Sequence, residues 1–112
     1  MKKFLVLYHS SASAREQMAN VTPEQMKAGM DMWMAWAAKH KSSLVDLGQP
    51  VGPGKHVPKP GAVENAKETV CGYSILQAGS LDEAVKTVHE HPHFHAPTAS
   101  ITVLEMMPVP GM

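Results

Sequence analysis

The chain has 112 residues, ten Lys and Arg against ten Asp and Glu for a formal charge of zero, and a single cysteine. That length holds one domain, residues 1–112, around one buried core. Balanced charge with no Lys/Arg stripe argues against a nucleic-acid partner, and one cysteine allows no internal disulfide, as expected of a protein in the reducing cytoplasm, with Cys71 a small buried apolar group.

Lys2 and Lys3 precede a short apolar run, Phe4 to Tyr8, which His9 interrupts. The run is shorter than the roughly 7–15 residues at the core of an export signal, and it reads as a first strand, Phe4–His9. No stretch reaches the ~18 apolar residues of a membrane span, so no membrane partner is expected. Residues 10–22 read as a loop. Thr22-Pro23-Glu24-Gln25 then starts a helix, with Thr22 as N-cap, Pro23 at the first position and Gln25 closing a capping box. The pattern carries this helix to Lys41. Met26, Met30, Trp33, Ala37 and His40 form one stripe that faces a core. Met34 and Trp36 widen it, so that Met30, Trp33 and Trp36 read either as ordinary core or as walls of a ligand cavity.

Ser43–Gly48 is a second strand, with Asp46 on the opposite side from Val45 and Leu47. Gln49 to Gly61 is rich in Pro and Gly and reads as a loop or a loose edge hairpin around Gly54. Val70–Gln77 is a third strand. Ser80-Leu81-Asp82-Glu83 is a second capping box, opening a helix with Leu81, Ala84, Val85 and Val88 on one face, which Pro92 stops. Ile101–Met107 is a fourth strand, and the prolines of the Pro108–Met112 tail end its ladder. The order β-α-β, excursion, β-α-β predicts an α+β protein with a ferredoxin-like split β-α-β plan, an antiparallel sheet with two helices on one face. Phe4–Tyr8 and Ile101–Met107 are apolar at nearly every position, as in strands dry on both sides. Two helices cover only one side. A second copy of the chain is expected over the other, giving a homodimer.

The least ordinary segment is His89-Glu90-His91-Pro92-His93-Phe94-His95, which holds four of the seven histidines. Pro92 biases His91 toward an extended conformation, from which His91, His93 and His95 would project on one side and offer nitrogen donors to Zn²⁺, Ni²⁺ or Cu²⁺. Three histidines around a metal with an open position would activate water. No cysteine pair or H-E-x-x-H helix accompanies them, so the favoured reading has no cofactor, and a divalent transition metal is the alternative. Equally plain is that His89 and His91 complement a helix C-terminus while His93 and His95 are loop residues. In the cofactor-free reading, His93 is an acid/base oriented by Asp46 or Glu105, and Tyr8 or His9 polarises a ligand oxygen. A small, partly apolar molecule would lie between sheet and helices against Met30, Trp33 and Trp36, with His93 and His95 at the rim. A non-catalytic binding or accessory domain is the third class.

At Glu64-Asn65-Ala66-Lys67-Glu68-Thr69-Val70-Cys71-Gly72-Tyr73, Ser80-Leu81-Asp82-Glu83-Ala84, His91-Pro92-His93 and the Ile101–Pro110 ending, the chain resembles the YCII-related family. The resemblance covers most of the chain. It implies a dimeric α/β barrel of ferredoxin-like protomers and a small-molecule site in a cleft between sheet and helices. One branch of the family is proposed to use a His/Asp pair in acid-base work. The position nearest that histidine is Gln25 in this chain, and Lys59-Pro60-Gly61-Ala62-Val63 replaces the family's D-G-P-F element, so any chemistry falls to other residues.

Overall fold

The computed structural model describes residues 1–11, 19, 21–52, 54–66, 70–96 and 98–111. Its centre is β1 (Lys2–His9), the apolar N-terminal run, which pairs antiparallel with both β5 (Val70–Ala78) and β6 (Ser100–Glu105). A short β2 (Leu44–Asp46) joins the far edge of β5, giving the four-stranded order β2-β5-β1-β6. The two helices whose bounds lie within the described residues are α1 (Pro23–Lys39) and α2 (Leu81–His89). Both β-α-β units are therefore present as the residue pattern predicts, and the fold is α+β and ferredoxin-like. No helix among the described residues is long and apolar enough to cross a membrane.

Strand alternation sorts the sheet into two faces. Phe4, Val6 and Tyr8 share a face with Ser74 and Leu76, and all five are essentially inaccessible. Trp36 from α1 and Val88 from α2 pack onto Val6, Tyr8 and Leu76, while Ala84 of α2 closes a second cluster over Phe4 and Ala78. The opposite face carries Leu5, Leu7, Tyr73, Ile75 and Leu104, with Leu5 opposite Ile75 and Leu104, and Leu7 opposite Tyr73 and Thr102.

Several expectations shift in detail. Helix α1 ends at Lys39, with His40 as its C-cap, not at Lys41. The second strand is three residues long, and its register slips between Leu44 and Asp46. A hairpin forms, but not around Gly54: β3 (Lys55–His56) and β4 (Glu64–Asn65) pair as a separate two-stranded sheet, and the chain turns between them through Gly61 at φ 138°. Strand β6 ends at Glu105, short of Met107. The 10–22 loop lies mostly outside the described residues. At Gly48, φ is +77° and an added Cβ would fall on the Tyr73 carbonyl oxygen, so only glycine lets the chain leave β2 this close to β5.

The largest change concerns the histidine run. Pro92–His95 is not extended; it forms a turn of 3₁₀ helix. The rule for residues before proline holds at His91 (φ −66°, ψ 138°). The same geometry is that of a helix N-cap with proline at the first position, so Pro92 stops α2 and starts a new turn.

Candidate functional site

Between α1, the end of β1 and the 47–50 loop lies a cavity of about 390 Å³. Helix α1 supplies Gln25, Met26, Gly29, Met30 and Trp33, the sheet Tyr8, Cys71 and Gly72, the loop Leu47 to Pro50, and the 3₁₀ turn Pro92 and His93. The volume suits a small organic molecule. Among the described residues no Lys, Arg, Asp or Glu lines it, and the polar side chains there are neutral amides, an imidazole, a phenol and a thiol.

His93 is 6% exposed, and its Nε2–H donates to the His9 carbonyl oxygen at 2.8 Å. A carbonyl can only accept, so this bond fixes the tautomer and leaves the lone pair on Nδ1. The orienting group is thus main chain. Asp46, expected there, is exposed and spends Oδ1 on the Gly48 amide at 2.8 Å, capping its own turn. Glu105, the other carboxylate considered, forms an exposed pair with Lys2.

Behind the wall, His91 is 2% exposed, and its Nδ1 accepts from the His93 amide at 2.9 Å, the bond that caps the turn. Its ring lies 4.3 Å from each of Trp33 and Trp36 and 4.7 Å from Tyr8. Because Nδ1 accepts an N–H, the proton sits on Nε2, which is buried without a hydrogen-bond partner among the described residues. Burial, with smaller contributions from His93 and His40, lowers the His91 pKa to about 3.

Tyr8 contributes its ring rather than its hydroxyl. Ser74 Oγ donates to the Leu47 carbonyl at 2.6 Å, so the 2.7 Å contact between Tyr8 and Ser74 has the phenol as donor. Burial, only partly offset by that bond, pushes the phenol up to about 12, so it stays protonated with its hydrogen already committed. It cannot donate to a ligand as the residue pattern suggested.

Of the other expected contacts, Met30 and Trp33 are walls. Trp36 is not: it is 5% exposed and donates Nε1–H to the Thr87 carbonyl, which makes it core. The side chain of His9 points to the opposite face, where Nε2 meets Thr102 Oγ1 at 2.8 Å beside a shallow depression lined with hydroxyls. His95 is exposed and outside the cavity lining. The 3₁₀ turn sends His91, His93 and His95 to different surroundings, and among the described residues no three His, Cys, Asp or Glu side chains converge as a metal site would require. Sequence reasoning missed Gln25, the 47–50 loop and the capping role of His91. The available signals were the capping box, which commits Gln25 Oε1 to the Thr22 amide at 3.1 Å and leaves its N–H groups, and a histidine directly before a proline.

Among the solved structures similar to the chain is 5-chloro-2-hydroxyhydroquinone dehydrochlorinase from Burkholderia phenoliruptrix AC1100, in complex with 2,5-dihydroxybenzoquinone. The match covers 94% of this chain and 93% of that one, at a TM-score of 0.50 and 19% identity. At that identity the likeness shows a shared fold. No family model and no curated protein matches the chain.

Proposed function

We propose that the cavity binds a small, uncharged, hydroxylated aromatic ring and that His93 accepts a proton from it, without a cofactor. The observation that carries this reading is the His93–His9 bond, which leaves a basic nitrogen on a ring in the wall of an otherwise apolar cavity. Trp33, Met26 and Met30 offer faces and thioethers to an aromatic plane, and Gln25 offers amide hydrogens to its oxygen. With no cation among the described lining residues, a carboxylate or phosphate would find no compensation from them for its desolvation. The similar structure holds a hydroxylated quinone, a ring of the size this volume admits. The same reading places the chain in the YCII-related family and pairs it with a second copy through the face the helices leave bare.

Hydroquinone is the test ligand, titrated into the protein while the Met26 and Met30 methyls and the Trp33 indole are followed by NMR. Saturable shifts confined to these residues are expected, with affinity reduced about tenfold in His93→Ala, the loss of one hydrogen bond to the ring hydroxyl. No saturable shift up to about 10 mM would end the proposal.

A further inference from the structure

We propose that His91 is the positioning residue for the cavity's base: as a neutral imidazole it fixes the turn that presents His93, and a second proton, taken from solvent onto Nδ1, turns that acceptor into a donor facing the His93 N–H and releases the turn. The inference rests on the reading of His93 given above.

Caps of helical turns usually come from Asn, Asp, Ser or Thr, whose oxygens accept a hydrogen bond across the neutral pH range. Here the cap is an imidazole nitrogen 2.9 Å from the His93 amide. It can accept only while unprotonated. The rest of the ring is enclosed by Tyr8, Trp33 and Trp36, and its Nε2–H finds no oxygen or nitrogen among the described residues. The ring centroids of Trp33 and Trp36 each lie 4.3 Å from that of His91, at interplanar angles of 86° and 60°.

Among the described residues no neighbour would stabilise a cationic His91 in place. Tyr8, from β1, is neutral with its hydrogen held by Ser74. His40, after α1, is held by Glu90 at 2.7 Å. Glu90 itself lies on the surface between Lys39 and His40, and His93 stands on the same turn as His91. A charged His91 would have a second imidazole beside it and, among the described residues, no carboxylate of its own, so the relief available is to swing the turn outward. That motion would carry His93 away from the His9 carbonyl and disarm the base at acid pH.

The test needs no ligand. His91→Asn places an acceptor oxygen near Nδ1 and does not titrate, whereas His91→Phe keeps a ring and removes the acceptor. The readout is exchange protection of the His93 amide, with far-UV circular dichroism as a check on overall folding. At pH 7, wild type and His91→Asn should protect this amide alike, and His91→Phe at least about tenfold less. Between pH 7 and pH 4, wild type should lose at least about tenfold of its protection and His91→Asn less than about twofold, with helix content retained. Both tryptophans of the chain lie against His91, so their emission should follow the wild-type change and stay level in His91→Asn. Equal protection in wild type and His91→Phe at pH 7 would overturn the proposal, as would an acid loss that His91→Asn retains. If hydroquinone fails to bind while these amide results hold, the ligand reading falls and the cap stands; binding that depends on His93, with unchanged protection in His91→Phe, does the reverse.

Discussion

His91 and His93 are in the same tautomer and expose opposite ends. His93 gives its Nε2–H to a carbonyl and keeps a lone pair, while His91 spends its lone pair on an amide and buries its Nε2–H. The difference has a consequence for stability. The folded His91 takes a proton only near pH 3, whereas in the unfolded chain an ordinary histidine takes one near pH 6.5. The unfolded state therefore binds more protons over the interval between, and stability is complete above about pH 6.5 and falls as pH drops toward 3. Urea unfolding at pH 7 and pH 5 should differ by about 1–2 kcal/mol from this residue, and His91→Asn should remove that part of the difference. Spacing made these histidines conspicuous, but it could not separate their roles. The i, i+2, i+4 reading assumed an extended chain, and Pro92 instead nucleates a turn that buries two of the rings and exposes the third.

At the scale of elements, what was legible depended on whether the signal was local. The Thr22 capping box is formed in full, with Thr22 Oγ1 accepting from Gln25 and Gln25 Oε1 from Thr22, each at 3.1 Å. Thr22→Ala should cost about 1 kcal/mol in thermal or urea unfolding. The stripe on α1 was legible only in part. Trp33 and Trp36 reach the core, but Met26 and Met30 remain 45% and 55% exposed because this half of the helix faces the cavity. A helix period shows which side chains share a face and says nothing of whether that face meets protein or empty space. Gly29 tests the distinction. It lies within α1 on the cavity side, where an added Cβ would meet nothing within 4 Å. Gly29→Ala should stabilise the helix by about 1 kcal/mol, since glycine is a poor helix former. Gly29→Leu should keep the fold and abolish hydroquinone binding by filling the cavity, and retained affinity in that variant would place the ligand elsewhere.

For the whole molecule, the order of strands and helices followed from the alternation of patterns along the chain, and the two faces of the sheet follow from strand period. The helices account for one face. On the other, Leu5, Leu7, Tyr73 and Ile75 are only partly covered and Leu104 is 46% exposed, so one contiguous apolar surface runs across β5, β1 and β6. Burying such a surface against a two-fold related copy would recover roughly 25 cal/mol for each Å² removed from water, before the cost of association. Light scattering on the purified chain should accordingly report about twice its 12.1 kDa mass at micromolar concentration. The decisive variant is Leu7→Lys. Leu7 sits within β1 opposite Tyr73 and Thr102, on the face opposite the one that α1 and α2 cover. A lysine there can extend into water in the single subunit, leaving the core of Phe4, Val6 and Tyr8 intact, but would be buried in the pair without a partner charge. The variant should run as a folded monomer with nearly wild-type circular dichroism. A Leu7→Lys protein that remains a dimer would show that the copies meet through some other surface.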